Sequence, residues 1–198
     1  MNSITRWFRA LGVVSMVFLL GCPADDGQWI AQQAVTTHNL AAVSFVDEQA
    51  GWVVGESGTI LRTSDGGDQW IALTSGIAVS LMGVDFVNVN HGWAVGDMMT
   101  ILHTADGGET WETQKQETHN AFLAVDFVDE RHGWAVGTFS EVFHTTDGGK
   151  HWTVQAVPDV GWFSAANFLN TTHGWIGGVR GEIYSTTDGG NTWEPMNV

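Results

Sequence analysis

Apolar and polar residues alternate over short stretches of this chain, as in LAAVSF at 40–45, GWVVG at 51–55 and TILRTS at 59–64, and clusters of Gly, Asp, Asn and Ser separate them. Alternation puts every second side chain on one face of an extended strand, and the separators favour turns. The pattern therefore predicts half-buried strands joined by tight connections. No segment after Cys22 sustains a helical period. The first complete set of strands is expected at about 40–45, 51–54, 59–63 and 70–74.

The same set recurs with a step of 41 residues. Gly-Trp stands at 51, 92, 133 and 174, and Asp-Gly-Gly at 65, 106, 147 and 188. Phe45, Phe86, Phe127 and Phe168 keep the step, as do Ile60, Ile101, Val142 and Ile183, with no insertion across four units. Four antiparallel strands in about 40–45 residues, repeated, describe propeller blades. The fold class expected is all-β: a β-propeller-like array of four blades, each of about 41 residues and four antiparallel strands, plus one extra N-terminal strand. That strand is QWIAQQAV, because Trp29 lies one step before Trp70. A single blade cannot cover both faces of its sheet, so stability should grow with each neighbour. Three arrangements are open: a tight four-blade ring, an open arc, or an arc paired with a second copy through its open blade edges.

The most conspicuous loop is TSDGGDQW, TADGGETW, TTDGGKHW and TTDGGNTW. It resembles the Asp box of bacterial neuraminidase repeats, and all four copies keep Thr, Asp, Gly and Trp: Thr63, Asp65, Gly67 and Trp70; Thr104, Asp106, Gly108 and Trp111; Thr145, Asp147, Gly149 and Trp152; Thr186, Asp188, Gly190 and Trp193. An Asp that accepts backbone N–H bonds, a Gly at positive φ and a Trp packed on the sheet make a turn. A calcium or phosphate site needs its ligands gathered at one point, whereas these carboxylates fall one per blade. They read as structural turns, with no metal and no cofactor.

Other candidates read the same way. His91, His132 and His173 precede three of the Gly-Trp pairs, one strand away from any axis on which they could converge, and suit turns better than a metal. Neuraminidases, as that family implies, use an arginine cluster and a tyrosine nucleophile. Here Tyr184 occupies the apolar column of Leu61, Leu102 and Phe143, and Arg62, Arg131 and Arg180 occupy three different repeat positions. No catalytic residue is assigned. Trp162, an aromatic outside the repeat pattern, reads as cover for a loop at a blade edge, with an exposed binding contact as the alternative.

Residues 1–21 combine Arg6 and Arg9 with an apolar run at 10–20, too short to span a bilayer and suited to a secretory signal. LLGC at 19–22 resembles the lipobox of bacterial lipoproteins, which implies acylation of Cys22, a short tether at 22–28 and a domain at 29–198. The expected location is outside the cytoplasm, lipid-anchored to a bacterial membrane on its periplasmic or cell-surface side. The chain from Cys22 onward carries all 22 acidic residues and five of the seven cationic ones, a formal charge of −17. Nucleic acid and anionic head groups are excluded as partners, because both need clustered Lys and Arg.

GWAVG followed by ILHTADGGETW makes the chain similar to the photosystem II stability and assembly factor family of Asp-box propellers, over about 29–198. Members are usually seven-bladed and hold membrane-protein intermediates without catalysis, which implies a protein-binding scaffold at a membrane surface with a membrane protein or protein complex as partner. The arginine-rich surface of the photosynthetic members has no counterpart here. A carbohydrate-binding or sialidase-like propeller and a self-associating structural module are the rival readings.

Overall fold

The computed structural model describes residues 20–21, 30–33, 35–117, 119–158 and 161–196. Two short strands, β1 (Leu20–Gly21) and β2 (Ile30–Ala31), pair antiparallel with each other. Four antiparallel sheets follow, each of four strands consecutive in the chain. Blade 1 contains β3 (Leu40–Phe45), β4 (Gly51–Gly55), β5 (Ile60–Thr63) and β6 (Ile71–Leu73). Blade 2 contains β7 (Leu81–Phe86), β8 (Gly92–Gly96), β9 (Thr100–Thr104) and β10 (Glu112–Lys115). Blade 3 contains β11 (Phe122–Phe127), β12 (Gly133–Gly137), β13 (Val142–Thr145) and β14 (Thr153–Val154). Blade 4 contains β15 (Phe163–Phe168), β16 (Gly174–Gly178), β17 (Ile183–Thr186) and β18 (Glu194–Pro195).

The blades are joined by aromatic stacking. Trp52 lies flat on Phe86 of the next blade with ring centroids 3.6 Å apart, and Trp93 on Phe127 and Trp134 on Phe168 at 3.5 Å. Each of these phenylalanines also meets the Asp-box tryptophan of its own blade edge-on, at about 6 Å. Stacked and edge-to-face pairs each add about 0.5–1.5 kcal/mol beyond the area they bury. The phenylalanine ring lies over the glycine that precedes the next strand's tryptophan, so a Cβ at Gly51, Gly92, Gly133 or Gly174 would run into it. This is why the pair is Gly-Trp. A polar contact reinforces each junction from the inner strands: the N–H of Phe86 donates to Ser44 Oγ at 3.1 Å, that of Phe127 to Asp85 Oδ2 at 2.7 Å, and that of Phe168 to Asp126 Oδ2 at 2.5 Å.

Three buried clusters lie at the three junctions between consecutive blades, and a fourth is confined to blade 1 around Val53, Leu61 and Trp70. Among the described residues no buried cluster joins blade 4 to blade 1. Of the three arrangements left open by the repeat count, the described residues form an arc rather than a tight four-blade ring. Part of the predicted N-terminal strand is present: β2 lies in it, and Gln32 accepts a 3.2 Å bond from Trp70 Nε1. The Gln32 side chain sits against Gly67 of blade 1 in the same way that Gln114 sits against Gly149 and Gln155 against Gly190. The segment therefore occupies the position of the outermost strand of a preceding blade.

Removing an aromatic from an internal junction leaves a cavity that rigid sheets cannot close. Trp134→Ala is expected to cost about 3–5 kcal/mol, within the range for large aromatic truncations. Trp175→Ala, at the half-buried equivalent position in blade 4, should cost much less. Denaturant unfolding of the two variants checks the contrast.

Candidate functional site

The two ends of each sheet carry different chemistry. Phe45 pairs with Gly51 and Gly51 with Thr63, so the β3–β4 turn and the Asp box share one end. Leu40 pairs with Gly55 and Val54 with Ile60, so the loop entering each blade and the loop between its second and third strands share the other.

At the first end the four Asp boxes have the same geometry. The Thr hydroxyl donates to the Asp at 2.8–2.9 Å and accepts the N–H of the second Gly at 2.8–2.9 Å. The same Asp oxygen accepts the backbone N–H four residues on at 2.9–3.0 Å. The carbonyl of the first Gly takes part in a bond the sequence did not reveal. Trp52 Nε1 donates to Gly107 O at 2.9 Å, and Trp93 and Trp134 donate to Gly148 O and Gly189 O at 3.2 Å, each into the next blade. Gln114 and Gln155 side chains bond the same carbonyls of Gly148 and Gly189 at 2.8 Å. The boxes are clasps between blades, spaced around the arc, and among the described residues no cluster of three or more His, Cys, Asp or Glu could hold a metal.

The remaining candidates are dispersed. His103 and His144 face the junction tryptophans, with ring centroids 4.9 Å from Trp93 and 4.5 Å from Trp134, and His91 lies 5.9 Å from His103. His132 bonds Asp129 at 2.9 Å within its own turn. Arg62 extends over Trp52 and reaches Glu109 of the next blade at 3.4 Å. Arg131 and Arg180 are exposed elsewhere. Tyr184 is buried, edge-on to Phe163. Cys22, Trp29 and the tether at 22–28 lie outside the described residues, as does the signal segment apart from Leu20 and Gly21.

At the second end Trp162 both covers a loop and keeps about half of its side chain in water. Trp162 is 47% exposed and tilted towards Phe139, itself 61% exposed, with centroids 6.0 Å apart. The loops are tied together: Ser140 N–H donates to Gly161 O at 2.7 Å, Gly161 N–H to Ser140 Oγ at 2.8 Å, and Val179 N–H to Trp162 O at 3.0 Å. Exposed Val179 extends the patch, and Met98 occupies the equivalent loop tip one blade back. Phe139 has φ +56° and Met98 +58°. A left-handed conformation costs a bulky residue about 1–2 kcal/mol, and such strain concentrates at binding sites. An aromatic pair held in water on a strained but well-tied loop is the strongest candidate for a contact surface.

The titrating groups of the first end give the fold a pH profile. The hydroxyl of Thr110 and then its N–H hold Asp106 at about 2, and the ring of His151 and then its N–H do the same for Asp147. Burial, and then the charge of His132, lower His144 to about 4. Between pH 6.5 and 4 the unfolded chain takes up a proton that folded His144 refuses, and between about 4 and 2 it takes up protons that the box carboxylates refuse, so stability falls as pH is lowered through both windows. His144→Gln should flatten the first limb and Asp147→Asn should shallow the second, as measured by thermal melting against pH. Asp147→Ala should lower stability at neutral pH.

Comparison with known proteins identifies relatives of the whole arrangement. The family model described as photosynthesis system II assembly factor YCF48 matches residues 23–115 and 111–161. The photosystem II assembly protein Ycf48 of Thermosynechococcus vestitus is 38% identical over 63 residues, which are 29% of this chain and 18% of that protein. A solved Ycf48 bound to a D1 peptide superposes with a TM-score of 0.71 at 26% identity, covering 93% of this chain and 61% of the other. A GH74 enzyme from Niastella koreensis superposes with a TM-score of 0.64 at 15% identity over 79% of this chain and 30% of the enzyme, a likeness of fold alone. The chain spans less than two thirds of the length of these relatives.

Proposed function

The chain belongs to the Ycf48 family of photosystem II assembly factors, and on that footing we propose that it is a non-catalytic binding protein that holds an extended, apolar segment of a protein partner on the Phe139–Trp162 patch. The observation that carries this reading is the exposed aromatic pair on a left-handed loop tip. Aromatic side chains that have little entropy to lose are the usual anchors of peptide and protein interfaces. The relative solved with a D1 peptide bound supports a peptide as the class of ligand. Export by the first 21 residues and acylation of Cys22 would hold the protein at a membrane surface, beside membrane-protein partners; two or more acyl chains suffice for stable anchoring.

The test is fluorescence titration of the full chain with a D1 peptide as probe, comparing Trp162→Ala and Phe139→Gly. Binding should be saturable, and each variant should raise Kd at least about tenfold, the loss expected of an aromatic anchor. Phe139→Gly exchanges left-handed strain for glycine's extra chain entropy, so its stability should stay within about 1 kcal/mol of the parent. Unchanged affinity in both variants sinks the proposal.

A further inference from the structure

Each end face of the arc carries one half of the junction that the three internal boundaries complete. On blade 1, Phe45 is 39% exposed, whereas its repeat equivalents Phe86, Phe127 and Phe168 are 6%, 1% and 0% exposed. On blade 4, Trp175 is half-buried, whereas Trp52, Trp93 and Trp134 are fully buried. The carbonyl equivalent to those of Gly107, Gly148 and Gly189 belongs to Gly66 on the blade 1 side, and the acceptor position of Ser44, Asp85 and Asp126 is held by Asn167 on the blade 4 side. The stacking rings, the acceptor side chain and the acceptor carbonyl of a fourth junction are therefore present on the two faces in matching register.

We propose that a second copy of this chain closes the arc, the blade 4 face of each copy docking on the blade 1 face of the other. Trp175 stacks on Phe45, its indole N–H donates to Gly66 O, and the Asn167 side chain accepts the N–H of Phe45. The occupant is a second copy because the contact continues an interface that the chain already makes three times with itself. Two copies joined at both ends form a two-fold ring of eight blades, within the range of closed propellers.

Two features set the strength and the detail of this contact. Gly177 stands where the internal boundaries have the buried Val54, Val95 and Val136, so the fourth junction buries less apolar surface and is reversible. Gln32 on the Asp box of blade 1 already holds the outermost-strand position of the incoming blade. The incoming blade 4 therefore contributes β15, β16 and β17, and β18, an exposed strand of two residues, gives way.

Sedimentation of the full chain across the micromolar range should show a species of twice the 21.5 kDa of one chain. Trp175→Ser and Phe45→Ser should each weaken dimerisation by more than about tenfold, as loss of a central aromatic does, with the folded signal retained in near-ultraviolet circular dichroism. Asn167→Ala, which removes one acceptor and no core atom, should shift the dimer constant in the same direction by less. An equimolar mixture of the Trp175→Ser and Phe45→Ser chains should regain association, because one of its two junctions then pairs a native tryptophan with a native phenylalanine. A monomer at every concentration, a dimer indifferent to both serine substitutions, or a mixture no more associated than its components would overturn the proposal. None of these variants alters Phe139 or Trp162, so the outcome is independent of peptide binding at that patch.

Discussion

The flat stack of a second-strand tryptophan on a first-strand phenylalanine of the next blade is the contact on which the rest of the molecule depends. It covers the sheet faces that a lone blade would leave in water. Its geometry also brings the indole N–H onto the carbonyl of the neighbouring Asp box. The hydroxyl and carboxylate of the box fix the turn, and the turn presents the carbonyl, so polar groups that resemble a site in the sequence are committed to holding one blade against the next. The loops at the opposite end, which carry the patch proposed to bind a partner, take no part in these clasps.

Much of this was legible in the sequence because a strict repeat converts position into structure. Alternation located the strands to within a residue or two, the step of 41 gave the number of blades, and comparison of the four boxes separated the fixed turn residues from variable neighbours such as His151 and Thr110. The glycine of each Gly-Trp pair was visible as a fixed position, but its cause, a phenylalanine ring from the adjacent strand, required the sheet register.

What could not be read depended on how one blade sits on the next. The bond from Trp134 to Gly189 joins two motifs that were both identified, yet nothing in a linear pattern indicates that they meet across a blade boundary. The strained patch escaped for a local reason. The equivalent loop of blade 1 carries Ser57-Gly58 and that of blade 4 carries Gly181, a composition that signals a left-handed turn, whereas Thr138-Phe139-Ser140 contains no glycine. The extra aromatic at 162 was conspicuous in the sequence, but its exposure follows from the loop with which it is tied.

The indole-to-carbonyl bonds all span 55 residues. Because that span is one repeat plus a fixed remainder, duplication or deletion of a whole repeat anywhere in the array restores the same junction on both sides of the change. Insertion or loss within a strand or an Asp box shifts the register and breaks it, whereas a change confined to a connecting loop leaves it in place. An array built on this contact can therefore gain or lose junctions only by whole blades, each new boundary repeating the chemistry of the last.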